Sequence, residues 1–263
     1  MLLAKKTAVI YGAAGAVGSA LARTFAREGA TVHVTARDAG RIDALVREIR
    51  AAGGSAEAAV VDALDPQAVE SHLDRVVGAT GGVDVSFNAV GIPQVGVQGI
   101  PLLELTPEAY TAPVATYARA HFVTAQAAGR RMAARGSGVI LMHTPEPARL
   151  AAPLVGGMAP AWAAIEALSR GLSAELGPRG VRTVVLRSTG IPETATIDVV
   201  FGLHARALGI TREQFDGVVG GMTHRRRLTT LAELGDAAAF FASDRASGVT
   251  GAVANLTGGI IAD

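Results

Sequence analysis

The sequence predicts a doubly wound α/β fold, with a mostly parallel seven-stranded sheet covered by helices on both faces. Short apolar, β-branched runs alternate with longer amphipathic stretches along the chain, the pattern of repeated βαβ units joined by right-handed crossovers. The first apolar run passes directly into a glycine-alanine turn and then a helix-like stretch. No repeat, low-complexity block or composition shift divides the 263 residues, so a single domain over 1–263 is expected.

The expected strands are 7–11, 31–35, 58–61, 83–87, 139–142, 181–186 and 252–256, all apolar enough to be buried on both faces. Helices are expected over 16–28, 41–52, 66–77, 107–135, 160–176 and 231–243. Several carry start signals: Thr106-Pro107-Glu108 reads as an N-cap followed by proline in the first turn, and Asp38 reads as the cap of a helix beginning near Ala39. Pro113 falls inside the 107–135 stretch and is expected to kink or restart it.

Composition excludes several classes of function. Hydrophobic residues make up 49% of the chain and charged ones 18%, which excludes a disordered protein. A net charge of +1 argues against a nucleic-acid binder; the triplet Arg225-Arg226-Arg227 reads as a solvated face. With no cysteine there is no disulfide, thiolate nucleophile or Cys-ligated zinc, and the six histidines form no metal-binding spacing. The longest uncharged stretches are broken by prolines and glycines, so no membrane span is expected. Lys5 and Lys6 ahead of an uncharged run look superficially like a targeting signal, but the glycine spacing that follows has a better use, and a cytoplasmic location is expected. Lys and Arg together number 24 and the only lysines are Lys5 and Lys6, leaving 22 arginines. No mechanism that needs a lysine in the body of the chain is available to it.

Gly12-Ala13-Ala14-Gly15-Ala16-Val17-Gly18 is the strongest motif. Glycines there let the backbone turn sharply and approach a pyrophosphate, whose charge is held by amides at the following helix N-terminus. The second strand ends in Thr35-Ala36-Arg37-Asp38. An acid at the strand end would hold the ribose hydroxyls of NAD, whereas a guanidinium grips the 2′-phosphate of NADP, so Arg37 favours NADP(H) over NAD(H).

These motifs together resemble the short-chain dehydrogenase/reductase family over nearly the whole chain. The glycine turn is similar to the family's phosphate loop, with Ala16 where a middle glycine is usual. Val61-Asp62-Ala63 resembles the segment that contacts adenine. Asn88-Ala89-Val90-Gly91 resembles the family's Asn-Asn-Ala-Gly stretch, and Gly190-Ile191-Pro192-Glu193-Thr194 its nicotinamide-contacting stretch, with Ile191 and Thr194 as contacts and Thr189 in place of a proline. Segment 193–223 would be the substrate lid. The resemblance implies a Rossmann-type fold, a small-molecule carbonyl or alcohol substrate, and assembly as a homodimer or homotetramer.

The catalytic set departs from the family pattern. Members use a tyrosine with a lysine four residues later, a serine and an asparagine; the comparison places Met158, Trp162, Thr144 and Tyr117 at those positions. The departure does not depend on alignment, because the tyrosines are Tyr11, Tyr110 and Tyr117 and no lysine follows any of them. Thr144 keeps a hydroxyl and Tyr117 carries a phenol, so these two are the expected catalytic groups. His121, His143 and Glu146 are further titratable neighbours, the last two expected to be solvated on a loop. Met158 and Trp162 read either as ordinary core or as an apolar pocket for a flat ligand. Three functions follow: an oxidoreductase with replaced proton-transfer groups, a catalytically silent NADP(H)-binding subunit or sensor, or a non-redox isomerase or cyclase.

Overall fold

The computed structural model describes residues 1–262. Seven parallel strands form one sheet in the order β3-β2-β1-β4-β5-β6-β7. They are β1 (Thr7–Tyr11), β2 (Thr31–Ala36), β3 (Ser55–Val60), β4 (Val85–Asn88), β5 (Gly138–Pro145), β6 (Val181–Ser188) and β7 (Ala252–Leu256). The sheet is wholly parallel, where the sequence predicts mostly parallel pairing.

Strand alternation sorts the side chains of β1 into two cores. Ala8 and Ile10 join α1 (Ala16–Arg27), α2 (Ala39–Ala51) and α8 (Leu231–Ala242) on one face. Val9 and Tyr11 join α3 (Pro66–Thr80), α4 (Pro107–Arg135) and α5 (Met158–Leu176) on the other. Between β6 and α8 the chain builds α6 (Ala195–Leu208) and α7 (Arg212–Met222), which share a small third core around Phe201 and Phe215.

Local signals behave largely as their chemistry dictates. Asp38 caps α2 by accepting from the Arg41 amide at 3.4 Å, and Thr106 caps α4 by accepting from Ala109 at 3.2 Å. Pro113 neither breaks nor restarts α4, which runs unbroken for 29 residues. The lost proline N–H leaves only the Ala109 carbonyl unserved within the helix, and Pro113 is itself buried against neighbouring structure. β3 is not buried on both faces as expected: it is an edge strand, its pattern is mostly exposed, and it begins at Ser55.

Strand order reverses between β1 and β4, and the carboxyl ends of the strands on either side of such a reversal open the crevice where α/β sheets bind ligands. In this chain one cavity of about 920 Å³ occupies that crevice.

Candidate active site

The cavity has two ends. At the first, β1 runs into the glycine turn. Gly12 has φ +71°, and a Cβ there would come within 2.7 Å of the Ala89 backbone. Only glycine allows β1 and the β4 turn to approach so closely. Gly15 caps α1 without any side-chain hydrogen bond, so its first-turn amides are left for an external acceptor. Ala14, Ala16 and Val17 line the cavity beside them. Gly18 does not line it: a Cβ there would sit 2.8 Å from Ala13, so this glycine serves close packing of α1 on the turn. The cradle therefore fits a dinucleotide pyrophosphate.

Around the cradle, Arg37, Asp38, Asp62, Ala63, Asn88, Ala89 and Gly91 all line the cavity. Arg37 is exposed beside Asp38. Arg41, one helical turn on, also lines this end and donates to the Ala14 carbonyl at 2.8 Å, a contact with no signature in the sequence. The Asn88 side chain is fully engaged. It donates to the Ala120 carbonyl and Thr124 Oγ1, both at 3.0 Å, and accepts from the Val90 amide at 2.9 Å. Its role is to pin the end of β4 to α4. Asp62 similarly accepts from Leu64 at 2.9 Å and shapes its own turn.

The second end lies over β5 and β6. Ile191 and Thr194 line it, with Thr194 capping α6 through the Ile197 amide at 3.2 Å. Met158 and Trp162 are at once core and wall, 1% and 8% exposed and both facing the cavity. Tyr117 lines it as well. Burial holds its phenol up at about 12, with the Ile92 amide and Trp162 indole pulling back only in part. His121, one turn further along α4, stacks on Tyr117 with centroids 6.4 Å apart, and burial lowers its imidazole to about 3.

Thr144 is not where the sequence reading expects it. It is 0% exposed, absent from the cavity wall, and donates to Glu166 Oε1 at 3.0 Å. Glu166 on α5 is held bidentately by Arg187 of β6 at 2.8 and 2.7 Å, in a pair almost sealed from solvent. Successive strand side chains point to opposite faces, so Thr144 turns toward α5 while its neighbour His143 faces the cavity.

His143 and Glu146 are not solvated either. His143 belongs to β5, and its Nε2 lies 2.8 Å from Ser188 Oγ. Ser188 gives its own hydrogen to the Thr189 carbonyl at 2.8 Å, so the network assigns the donor hydrogen to His143 Nε2 and leaves Nδ1 the acceptor. Burial lowers this imidazole to about 4. Glu146 opens a single 3-10 turn, Glu146–Ala148, after β5 and is 9% exposed. Burial raises its carboxyl to about 7, opposed by its own amide and that of Gly190.

Helices α6 and α7 cover this end. Phe201 and Phe215 meet edge to face at 5.1 Å, and the Arg212 guanidinium lies 4.9 Å from the Phe201 ring centre while pairing with Asp198 and Asp216. The cover is tied to the β4 loop by a buried chain that sequence reading missed. His204 Nε2 donates to Gln98 Oε1 at 3.1 Å, Gln98 to Gln94 Oε1 at 2.6 Å, and Gln94 to the Ile92 carbonyl at 2.7 Å. Among the described residues no cluster could hold a metal ion, and no helix is long and apolar enough to cross a membrane.

The sequence family described as enoyl-(acyl carrier protein) reductase matches residues 12–260. An L-rhamnose 1-dehydrogenase (NAD(P)(+)) of Azotobacter vinelandii is 33% identical across 99% of this chain and 98% of the relative. An A-factor type gamma-butyrolactone 1'-reductase of Streptomyces virginiae is 29% identical over 98% of this chain and 96% of its own length. The crystal structure of a gluconate 5-dehydrogenase from Burkholderia cenocepacia, in complex with NADP and tartrate, superposes with a TM-score of 0.85 at 28% identity, covering 98% and 96% of the two chains. A family match that runs from the first glycine turn to the far side of the last strand, with a full-length relative at 33% identity, establishes that this chain belongs to the short-chain dehydrogenase/reductase family of oxidoreductases.

Proposed function

We propose that the protein binds NADP(H) and interconverts a carbonyl and an alcohol on a small molecule with a largely apolar body, using proton-transfer groups other than the family's Tyr-x-x-x-Lys pair. The carrying observation is the cavity itself, which joins a glycine turn with uncapped first-turn amides to a covered, largely apolar chamber.

The residues that would hold the dinucleotide are Gly12, Ala14, Gly15, Ala16 and Val17 at the pyrophosphate, with Gly18 packing the turn. Asp62, Ala63, Asn88, Ala89 and Gly91 would enclose the adenosine half, and Ile191 and Thr194 the nicotinamide half. Arg37 just past β2 and Arg41 in the first turn of α2 support the preference for a 2′-phosphate, with Asp38 committed to its helix cap. When bound, the cofactor supplies or accepts the hydride. Tyr117 keeps its hydrogen at neutral pH and serves as a donor to a substrate oxygen rather than as a base. Met158 and Trp162 exclude water and pack a flat face. Thr144 acts by locking β5 to α5, and the 193–223 cover closes the chamber over the substrate.

The apolar lining favours a hydrophobic carbonyl compound over a polyol. The His204, Gln98 and Gln94 side chains beneath the cover already satisfy one another, so they are not free to pair the many hydroxyls of a sugar. We further assign a single domain, a cytoplasmic location and a homodimer or homotetramer. Trp162 is the only tryptophan and lines the cavity, so its fluorescence reports binding directly. Saturable quenching by NADPH, weaker with NADH, together with NADPH oxidation on a panel of apolar ketones, is the expected result. Binding without turnover across the panel would instead support a silent NADP(H)-binding subunit, and product formation without NADPH consumption a non-redox isomerase.

A further inference from the structure

The hydroxyls and the thioether at the family's catalytic positions offer no exchangeable proton suited to neutral pH. Met158 has none, and Thr144 has given its own to Glu166. One acid stands differently. Glu146 follows β5 directly, is more than nine-tenths buried, and lines the cavity near Gly190 and the start of the cover. Its Oε2 has no hydrogen-bond partner among the described residues. A carboxyl oxygen buried without a partner beside a cavity is held there at a cost, and a substrate oxygen brought against it would satisfy it.

The geometry points to Glu146 as the group that passes a proton to and from the substrate oxygen in this cavity, in the place of the family's tyrosine. This rests on the oxidoreductase reading above. In the reducing direction the carbonyl carbon gains a hydride from the reduced dinucleotide. The former C=O π pair takes the proton of the Glu146 carboxylic acid, forming the alcohol O–H. Glu146 is left as a carboxylate and is reprotonated from water, and the dinucleotide leaves oxidised. Oxidation runs the same steps in reverse.

The surroundings support this role. A carboxyl that titrates near 7 presents both forms at neutral pH, as a proton-transfer group requires. The titratable groups sharing the covered end of the cavity are His143 on β5, Tyr117 and His121 on α4 and His204 on α6, while Arg37, Asp38, Arg41 and Asp62 line the dinucleotide end; burial keeps the three imidazoles neutral and the phenol protonated. The nearby Glu166–Arg187 pair between α5 and β6 is internally neutralised. The Gly190 amide opposes the upward push on Glu146 only in part.

The test uses Glu146→Gln and Glu146→Asp beside the native protein, with 2-decalone and NADPH as probes. Infrared spectra of the cofactor-free protein should show a protonated carboxyl band that titrates near neutral pH and is missing from E146Q. Quenching of Trp162 by NADPH should be unchanged in both variants, which also reports an intact site. With the ketone, kcat of E146Q should fall by about 10²–10⁴-fold, the native loss of reductive kcat as pH rises through neutrality should disappear, and E146D should recover part of the rate. An E146Q that keeps its rate and pH profile, or a native protein without the infrared band, overturns the assignment while leaving the oxidoreductase reading intact. A native protein that binds NADPH but reduces no ketone overturns that reading, and the role of Glu146 falls with it.

Discussion

Glu166→Ala should destabilise the protein severely while leaving the dinucleotide cradle intact. The substitution removes two hydrogen bonds to Arg187, at 2.8 and 2.7 Å, and the 3.0 Å acceptor of Thr144. The Arg187 side chain is 4% exposed and the Glu166 side chain 7%, so neither solvent nor another anion compensates the guanidinium once the carboxylate is gone. Breaking one side of a buried pair costs about 3–5 kcal/mol, and the orphaned Thr144 hydroxyl adds about 1 kcal/mol. At about 2–4 °C per kcal/mol for a chain of this size, the pair alone predicts a fall in Tm of roughly 6–20 °C. The sharper arm is the double variant Glu166→Leu with Arg187→Met. It removes both charges and fills their volume, so it should recover most of the loss. Thr144→Val alone should cost about 1 kcal/mol and leave NADPH affinity unchanged. Urea denaturation followed by circular dichroism, with NADPH quenching of Trp162, measures all four proteins. A Glu166→Ala protein within about 1 kcal/mol of the native one, or a double variant as unstable as the single, would refute the account of a buried, locking pair.

The other predictions are briefer. Gly12→Ala places a Cβ within 2.7 Å of the Ala89 backbone at a φ of +71°, so NADPH quenching should be lost and Tm lowered; unchanged binding would contradict the cradle. Arg37→Ala with Arg41→Ala should weaken NADPH binding by about 10–100-fold and leave NADH within about threefold, whereas equal losses for both cofactors would remove the 2′-phosphate argument. Acid should destabilise the fold between about pH 6.5 and 4. Burial lowers His72 to about 4 and also lowers His33, so over that window the unfolded chain binds the protons that the folded chain refuses. Stability is therefore complete above the unfolded value and is lost as pH falls, by at most about 1.4 kcal/mol per pH unit per histidine. His72→Gln should flatten that slope in urea melts taken from pH 7 to 5, and an unaltered slope would assign it elsewhere.

Fold and cradle were legible in the sequence because backbone geometry demands particular residue types there. Gly12 must be glycine to take a positive φ beside β4, and Asp38 and Thr106 announce their helices through the amides they cap. β3 was misplaced because an edge strand needs no doubly buried pattern, and Ser55–Val60 carries none. Thr144, expected as a catalytic hydroxyl, points away from the cavity, and its orientation follows from strand alternation that the motif alone does not reveal. Adjacent strand residues face opposite ways, so His143 meets the cavity while Thr144 meets Glu166 in the core. Nothing local marks Glu166 and Arg187 as partners, since 21 residues separate them and only the packing of α5 on β6 brings them together. The His204, Gln98 and Gln94 chain was hidden for the same reason, with 106 residues between its first two members.

The scarcity of lysine bears on the chemistry more directly than on the fold. A lysine beside a tyrosine works by stabilising the phenolate, pulling a high pKa down toward neutrality. With lysine confined to residues 5 and 6, no lysine reaches the cavity; Arg37 and Arg41 line its dinucleotide end, and at the covered end desolvation dominates the titrating groups. Desolvation disfavours whichever form is charged, so it drives acids up and bases down. Tyr117 starts near 10 and moves away from neutrality to about 12; His143 and His121 start at 6.5 and move away to about 4 and 3. Only a carboxyl starts low enough for the same push to carry it toward pH 7, and Glu146 is the carboxyl in the covered end of the cavity that makes this move. A covered end with no cation beside its phenol is therefore restricted to an acid whose unperturbed pKa lies below neutrality, which is why the proton falls to a glutamate rather than to the phenol three helical turns into α4.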